Sequence, residues 1–324
     1  MTPDAATLSS VAAALRAARL VAVCAHVDPD GDAVGSTLGM VHALDAIGVQ
    51  SVPVLASGTG APITYSFLPG TERYRTVEEL ASAPDLVLAL DSPDPARLGE
   101  ARSLLEVART SIVIDHHPDG GGYGTIDVID ETAPAVGVLI WELLPALGVV
   151  ADEAIATCLY TALMTDTGRF SYSNATPRAF RTAADLIEAG ANAGALYMQV
   201  YENRSSGLLA LAARTVGRLT LVNGGAVAYA WITDADLSDT GSLPEETENL
   251  IDEIRVLGGV EAVALLKVHD GFVKGSLRAK GSADVGAAAR ALGGGGHRAA
   301  AGFTLSGDLA STLAALLPLL PGGK

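Results

Sequence analysis

The 324 residues are enough for two domains of ordinary size, and a 49% share of apolar residues allows each domain to bury a core. A net charge of −16 argues against a protein that holds long duplex nucleic acid, because such proteins carry a basic face, but small phosphate esters stay open as substrates. Neither a secretory signal pattern nor an uninterrupted apolar stretch of bilayer length is seen, so we expect a cytoplasmic protein with no membrane partner.

The first half of the chain alternates short apolar runs with helical patterns. Strands are predicted at 20–25, 51–56, 85–90 and 111–114, and helices at 33–47 and 95–109. This alternation indicates an α/β fold with a mostly parallel sheet and helices on both faces. Cys24 and Cys158 lie in apolar runs, and we expect both to be buried free thiols.

Helical patterns dominate the middle of the chain, and a second α/β pattern follows. Helices are predicted at 135–147, 152–164, 177–189 and 193–217. Strands are then predicted at 219–222 and 226–233 around an Asn-Gly-Gly turn, a helix at 244–256, and strands at 261–268 and 272–277 around an Asp-Gly turn. The predicted organisation is a parallel-sheet domain at 1–190, a helical connector at 191–217 and a smaller α/β domain at 218–324.

Carboxylate and imidazole side chains follow several of these predicted elements. Sites in open parallel sheets form beyond the carboxyl ends of the strands, so side chains placed there should converge. The segment HVDPDGDAVGS follows the first predicted strand, Asp91 the third, Asp-His-His the fourth, and TDTG ends the helix at 152–164. The side chains concerned are His26, Asp28, Asp30, Asp32, Asp91, Asp115, His116, His117 and Asp166.

Such a cluster of carboxylates indicates bound metal ions. Carboxylates in one cleft repel each other unless cations neutralise them or their pKa values rise. Imidazole and carboxylate without thiolate suit Mn²⁺, with Mg²⁺ or Fe²⁺ as alternatives. Two ions roughly 3.5–4 Å apart would share a carboxylate and a water, and would activate that water for in-line attack on phosphorus. Each motif alone has a simpler explanation, such as turn chemistry or helix capping, but four together at element ends favour the metal site.

The segments HVDPDGDAVGS, LALDS, VIDHH and TDTG, in this order, resemble the four motifs of the DHH phosphoesterases. The C-terminal GGGGHRAAAGF resembles the signature of the DHHA1 substrate domain, and together the matches cover nearly the whole chain. The resemblance implies two Mn²⁺ ions, with Mg²⁺ possible, and specific ligands for each. His26 and Asp30 would hold one ion, Asp32, His116 and Asp166 would hold the other, and Asp91 would bridge both.

The resemblance also implies the roles of the remaining motif residues. His117 would contact the phosphate or protonate the leaving oxygen, and Asp115 would orient an imidazole through its other nitrogen. Asp28 falls between the ligand positions of the family, so we expect it to be a loop carboxylate bonded to its own backbone.

The second domain carries a candidate phosphate-binding loop. Residues 293–296 are glycines, which allow backbone amides to approach a ligand closely, and an imidazole and a guanidinium follow them. The resemblance implies that this domain binds the nucleotide. The predicted substrate-binding residues are Arg278, Gly294, Gly295, Gly296, His297 and Arg298. Weaker candidates are Lys280 and Arg169 for phosphate, and Phe170, Tyr172 and Tyr123 for stacking on a base.

Length, acidity and the DHHA1 signature make the chain most similar to the bifunctional nanoRNase/pAp phosphatases within this family. That similarity implies hydrolysis of very short RNA to mononucleotides and of 3′-phosphoadenosine 5′-phosphate (pAp) to AMP. Cyclic or linear dinucleotides are further candidate substrates. Two alternatives stay open at this point: a pyrophosphatase or polyphosphatase, and a non-catalytic nucleotide-binding regulator. The apolar helices between the domains indicate a homodimer.

Overall fold

The computed structural model describes residues 3–58, 60, 62–118 and 120–323. The chain forms two compact units, residues 1–202 and 203–324. The division falls inside the stretch for which we expected a helical connector, and the predicted limits of the domains stay a prediction. No helix in the described ranges is long and apolar enough to cross a bilayer.

The first unit is built on a five-stranded parallel sheet with the strand order β2-β1-β3-β4-β5. The strands are Leu20–Cys24 (β1), Gln50–Val54 (β2), Leu86–Leu90 (β3), Thr110–Asp115 (β4) and Ile126–Ile129 (β5). The α-helices are Ala5–Ala17 (α1), Gly31–Ala46 (α2), Leu104–Val107 (α3), Val136–Leu147 (α4), Glu153–Asp166 (α5), Pro177–Glu188 (α6) and Ala193–Tyr197 (α7). Short 3₁₀-helices cover Ile63–Tyr65, Thr71–Arg73 and Pro95–Ser103, and a π-helical turn covers Met198–Glu202.

Both faces of this sheet are covered, as the continuous apolar strands predict. Large side chains such as Leu88 and Ile112 face a core that includes α1, α2, α4, α5 and α6. Smaller side chains such as Ala22 and Ala89 face the 3₁₀-helix at Pro95–Ser103 and α3. The predicted α/β class with helices on both faces is therefore confirmed, and both cysteines are buried free thiols as expected.

The second unit contains a six-stranded mixed sheet with the order β10-β11-β9-β8-β7-β6, in which only β7 and β8 are parallel neighbours. Its strands are Thr220–Val222 (β6), Val227–Thr233 (β7), Ala262–His269 (β8), Phe272–Ala279 (β9), Gly295–Gly296 (β10) and Ala300–Ser306 (β11). Its α-helices are Ser206–Gly217 (α8), Asp234–Thr240 (α9), Asp252–Arg255 (α10), Val285–Ala291 (α11) and Leu309–Leu316 (α12). Short 3₁₀-helices cover Asn223–Gly225, Pro244–Ile251 and Leu317–Leu319.

Helices cover both faces of this second sheet as well. One core packs α8 and α10 against the sheet, and another packs α11 and α12 against the opposite face. The two predicted hairpins are present, with β6 antiparallel to β7 and β8 antiparallel to β9.

Three predicted helices differ from the observed elements. The helix expected at 193–217 is α7 with its π-helical turn and then α8, and the Ser205 hydroxyl accepts a hydrogen bond from Leu208 N to begin α8 separately. The helix expected at 95–109 is mainly 3₁₀, because Gly99 has a left-handed φ of 54° and interrupts it. The helix expected at 244–256 is a 3₁₀-helix followed by the short α10.

Candidate metal centre

The three central strands of the first sheet deliver the predicted ligands side by side. His26 follows β1, Asp91 follows β3, and His116 follows β4, whose last residue is Asp115. The chain order reverses between β1 and β3, because β2 lies on the outer side of β1. Ligands of open α/β sheets bind at this kind of switch point, beyond the carboxyl ends of the strands.

Close packing of α2 against α5 brings the remaining carboxylates to the same edge. Asp30 caps the N-terminus of α2, with its carboxylate accepting hydrogen bonds from Asp32 N and Ala33 N, and Asp166 is the last residue of α5. A Cβ at position 35 would lie 2.5 Å from Cys158 O, so only glycine allows the two helices to come so close.

Asp91 stands at the middle of the cluster. Its carboxylate oxygens lie 3.4 Å from His26 Nε2, 3.5 Å from His116 Nε2 and 3.4 Å from His117 Nδ1. Asp91 is buried and has a left-handed φ of 53°, a conformation that is rare outside glycine and is often found at functional sites.

The donor atoms form three groups that share Asp91. The first is His26, Asp30 and Asp91, and the second is Asp32, Asp91 and His116, with all donor atoms of a group within 4.8 Å of one another. Asp166 Oδ2 lies 3.9 Å from His116 Nε2, next to the second group. A third group joins Asp91 to Asp115 and His117. Asp28 belongs to none of these groups among the described residues; it is exposed, with a φ of 52°.

These residues fit divalent metal ions. Among the residues that the structure describes, the buried Asp91 Oδ1 accepts no hydrogen bond, although imidazole nitrogens surround it. A buried carboxylate oxygen without a partner is costly, and a cation would satisfy it. The donor set of imidazole and carboxylate, without thiolate, suits Mn²⁺ or Mg²⁺ better than a structural Zn²⁺.

The pKa values reflect the repulsion in this cluster. Burial and the Asp91 charge raise the pKa of Asp32 well above its usual range. Burial also raises the pKa of Asp166, to about 6, to which Asp30 and Asp91 contribute. Burial alone would lower the pKa of the His26 and His116 imidazoles, but the neighbouring carboxylates, Asp91 first among them, together outweigh burial and raise both.

Asp91 itself shows the opposite shift. Burial would raise its pKa, but His116 and His26 outweigh burial and hold the pKa well below its usual range. Divalent ions would favour the deprotonated forms of these groups, since metal ligands bind in those forms.

Backbone carbonyls fix the imidazoles of His26 and His116. His26 Nδ1 lies 2.8 Å from Val27 O, and His116 Nδ1 lies 3.0 Å from Ala133 O. A hydrogen bond at Nδ1 sets the tautomer and leaves Nε2 to coordinate, a common arrangement around metal-binding histidines. In both residues Nε2 is the nitrogen that faces Asp91.

His117 is oriented differently. Its Nδ1 lies 2.9 Å from Asp115 Oδ1, and Asp115 is fully buried. The contact leaves Nε2 of His117 as the nitrogen that can face a substrate, and the role of Asp115 in orienting this imidazole stays a prediction.

The segment 133–137, at the start of α4, was not identified from the sequence. Ala133 O bonds to His116, while Val136 N and Gly137 N donate to the Asp32 carboxylate at 2.7 and 3.0 Å. Backbone groups carry no side-chain signature, so no motif could have identified this support.

Two further side chains that the sequence did not single out touch predicted ligands. Ser36 Oγ donates to Asp32 Oδ1 at 2.8 Å. Asn174 Nδ2 lies 3.1 Å from Asp166 Oδ2, 3.2 Å from Asp166 O and 3.0 Å from Pro134 O. Because all three neighbours are acceptors, they identify the amide nitrogen of Asn174 as the atom that faces them. The sequence offered no specific sign of these two contacts beyond the general rule that a buried carboxylate needs hydrogen-bond donors.

The predicted phosphate loop lies at one edge of the second sheet. Gly295 and Gly296 form β10 and pair with β11, and Arg278 lies near the end of β9, opposite Ala300. A Cβ at position 294 would lie 2.1 Å from Gly302 O, so close packing against β11 is sufficient reason for that glycine. Gly295 meets nothing within 4 Å and is the more open position.

The cations of this loop also contact the backbone of their own unit. Arg278 donates to Leu277 O at 3.1 Å, and Arg298 donates to Ser282 O. Both side chains and the imidazole of His297 are at least partly exposed. Their roles in substrate binding stay a prediction.

The weaker candidates have packing roles. Lys280 Nζ donates to Leu257 O at 2.7 Å, and the Arg169 guanidinium lies 4.8 Å from the centre of the Tyr201 ring. The aromatic candidates also pack locally: Phe170 against Phe180, Tyr172 against Gly168, and Tyr123 against the core beside α3. These contacts favour a structural role, rather than substrate binding, for each of these five side chains.

Each of the two units matches a known protein family. Residues 20–163 match the DHH family, N-terminal domain, and residues 224–319 match the DHHA1 domain. The chain is 35% identical over 287 residues to the bifunctional oligoribonuclease and PAP phosphatase NrnA of Thermus thermophilus, covering 88% of this chain and 84% of that protein. It is 28% identical over 286 residues to NrnA of Bacillus subtilis, covering 86% of this chain and 87% of the relative.

A solved structure has the same fold. The crystal structure of an exopolyphosphatase-related protein from Bacteroides fragilis superposes with a TM-score of 0.86 at 22% identity, covering 96% of this chain and 94% of that one. DHH phosphoesterases depend on metal ions, which agrees with the donor set described above. The chain therefore belongs to the DHH–DHHA1 phosphoesterase family and is a hydrolase.

Proposed function

We propose that this protein hydrolyses RNA of two to five nucleotides to mononucleotides and converts pAp to AMP, using two divalent metal ions. One observation carries the proposal: two donor groups share the buried Asp91 at the switch point of the sheet. The similarity to NrnA proteins over most of the chain supports the choice of substrates. Cyclic and linear dinucleotides are further substrates to test.

The same bond is broken in both proposed substrates. Hydrolysis of a short RNA to nucleoside 5′-monophosphates and removal of the 3′-phosphate from pAp both break the bond between phosphorus and O3′. A water oxygen bonds to phosphorus as that bond breaks, and O3′ takes up a proton. When bound, two ions would supply an activated water and neutralise charge on the phosphoryl oxygens.

The side chains of this protein have distinct parts in that reaction. His26 and Asp30 would hold one ion, Asp32, His116 and Asp166 would hold the other, and Asp91 would bind both. Two ions of like charge need an anionic group between them, which favours the central carboxylate for the shared position.

His117 is the proposed general acid. Asp115 accepts from its Nδ1 and orients the ring, so Nε2 can donate a proton to O3′ or a hydrogen bond to the phosphate. The buried position of Asp115 strengthens this pairing, because few other dipoles compete with it.

The second unit is proposed to bind the rest of the nucleotide. Arg278, His297 and Arg298 provide cationic and imidazole groups for a second phosphate, beside the amides of Gly294, Gly295 and Gly296. Substitution of Arg278 by alanine should raise KM for pAp more than it lowers kcat, while Mn²⁺ binding stays unchanged. An unchanged KM would remove Arg278 from the site.

The deciding experiment compares four substrates side by side. Diadenylate RNA, pAp, cyclic di-AMP and pyrophosphate are incubated with the protein and Mn²⁺, Mg²⁺ or a chelator, and products are separated by chromatography. Metal-dependent release of AMP from diadenylate and pAp supports the proposal. Turnover of pyrophosphate alone would overturn it in favour of a pyrophosphatase. The Asp91→Asn protein, prepared in parallel, controls for contaminating nucleases.

We also propose a cytoplasmic homodimer. Two buried free thiols suit a reducing compartment. Large apolar side chains are exposed on α6 and the segment after it, namely Phe180, Ile187, Tyr197 and Met198. Light scattering of the purified protein tests the oligomeric state, and a monomer at micromolar concentration would reject it. Cell fractionation tests the location.

A further inference from the structure

One arginine of the first unit lies beside the candidate metal centre without belonging to any motif. Arg97 is in the 3₁₀-helix at Pro95–Ser103, which begins four residues after Asp91. Asp94 caps this helix by accepting a hydrogen bond from Ala96 N, and Pro95 occupies its first turn. The helix is therefore a fixed element.

Backbone contacts tie this element to the carboxyl ends of β1 and β2. Val27 N donates to Arg97 O at 2.7 Å, directly after His26. Glu100 N donates to Ala56 O at 2.9 Å, and a Cβ on Gly99 would lie only 2.2 Å from that same oxygen. Arg97 is thus held next to His26, at the edge of the sheet where the carboxylates converge.

Arg97 adds a positive charge on the His26 side of the metal centre, because its carbonyl oxygen lies 2.7 Å from the amide of Val27, the residue after His26. The side chain of Arg97 is partly buried, so its charge is only partly screened by water.

Among the described residues, the Arg97 side chain takes part in no ion pair. Within the described ranges, its guanidinium makes no salt bridge and no hydrogen bond, whereas Arg73, Arg178, Arg204, Arg214 and Arg218 all pair with carboxylates. In the part of the chain that the structure describes, it also forms no ion pair with a predicted ligand carboxylate. A guanidinium kept next to an acidic centre without pairing to it suits an incoming anion.

We propose that Arg97 binds the phosphoryl oxygens of the substrate on the His26 side of the metal centre. The ligand class is a phosphate ester or inorganic phosphate, which the planar guanidinium can bind through two parallel hydrogen bonds. The proposal rests on the phosphohydrolase function given above, and it adds a substrate contact from the first unit to those expected in the second.

The test measures anion binding to the Mn²⁺-loaded full chain by titration calorimetry, with AMP and inorganic phosphate as probes. The variants are Arg97→Gln and Arg97→Lys, and the matched control is Arg102→Gln, an exposed arginine of the same 3₁₀-helix. A lost charge-assisted hydrogen bond predicts roughly 10- to 100-fold weaker binding of both probes to Arg97→Gln. Arg97→Lys should recover part of the loss, and Arg102→Gln should match the wild type.

Mn²⁺ stoichiometry and Tm are measured for every variant. Arg97→Gln should keep both, because Arg97 is not a ligand. Affinity for AMP and phosphate equal to that of Arg102→Gln would overturn the proposal, and so would a loss of Mn²⁺ from Arg97→Gln. If wild-type protein hydrolyses no nucleotide while phosphate binding still depends on Arg97, the proposed function fails and the anion site stands.

Discussion

Replacing Asn174 by alanine should selectively weaken one of the two proposed Mn²⁺ sites. The amide of Asn174 donates toward Asp166 Oδ2, Asp166 O and Pro134 O, at 3.0–3.2 Å. Its removal leaves the Asp166 carboxylate free to rotate away from His116. Loss of a hydrogen-bonding partner of a metal ligand typically costs 10- to 100-fold in metal affinity, and we expect a decrease of that order.

The stability cost should be smaller. Alanine leaves Pro134 O and the Asp166 backbone carbonyl without this donor, which predicts a loss of about 1–2 kcal/mol in the free energy of unfolding. Asn192→Ala is the matched control, because the Asn192 side chain caps α7 through Ala195 N and its loss costs about 1 kcal/mol by itself. Both variants should unfold at slightly lower urea concentration.

Calorimetric titration with Mn²⁺ separates the two variants. Wild-type protein and Asn192→Ala should bind two ions with similar isotherms. Asn174→Ala should bind one ion normally, through His26 and Asp30, and the other 10- to 100-fold more weakly. If Asn174→Ala binds both ions within threefold of the wild type, then Asn174 does not position Asp166 for a metal.

Three further variants probe other parts of the site. Asp91→Asn should weaken both Mn²⁺ sites and lower kcat by at least about 10³-fold, because the shared ligand loses its charge; retention of either property at the wild-type level contradicts a shared role. Asp115→Asn should lower kcat about 10- to 100-fold with two ions still bound, and a coincident loss of metal would make Asp115 a ligand instead. Arg178→Met should lower the free energy of unfolding by about 3 kcal/mol at pH 7, because Arg178 lies 2.7 Å from the fully buried Asp130. Burial opposes ionisation of Asp130, but hydrogen bonds from Thr132 and Arg178 lower its pKa to about 2 from 3.8. This stabilisation is present above pH 4 and is lost as the pH falls towards 2. Urea unfolding should therefore show that the free energies of unfolding of wild type and Arg178→Met differ less at pH 3 than at pH 7.

The sequence predicted the ligand-bearing strands well because their signal is local. The runs LVAVC and LVLAL are apolar at every position, as strands buried on both faces must be. Asp91 follows the second run directly, and His26 follows the first after a single alanine. Parallel pairing then brings these residues together, and so their convergence could be predicted without coordinates.

Other elements could not be predicted because their signal is weak or nonlocal. β5 has four residues, of which Asp127 is exposed, and so shows little apolar pattern. α11 is short and alanine-rich, and β10 consists of two glycines that pair only because β11 lies beside them. α1, α9, β11 and α12 were missed in the same way, although each helix has a capping side chain before it.

The groups that hold the predicted metal ligands in place could not be predicted from the sequence, for a different physical reason. The segment 133–137 acts through carbonyl and amide groups that every residue possesses. Asn174 is separated by eight residues from the carboxylate that it contacts, with a turn at Gly168 between them. Such contacts depend on how loops return to the sheet edge, and a one-dimensional pattern does not contain that information.

The segment 133–137 also helps to hold the acidic cluster together. It contacts Asp32 and His116 directly, and it contacts Asp166 through Asn174, so the three predicted ligands of one ion share a single support. The segment is anchored by α4, whose first residues are fully buried in the main core of the unit. Apolar burial and the α2–α5 packing therefore provide the energy that holds like charges together. The geometry of the site thus comes from the fold: backbone groups of one segment and the packing of two helices hold the predicted ligands in place.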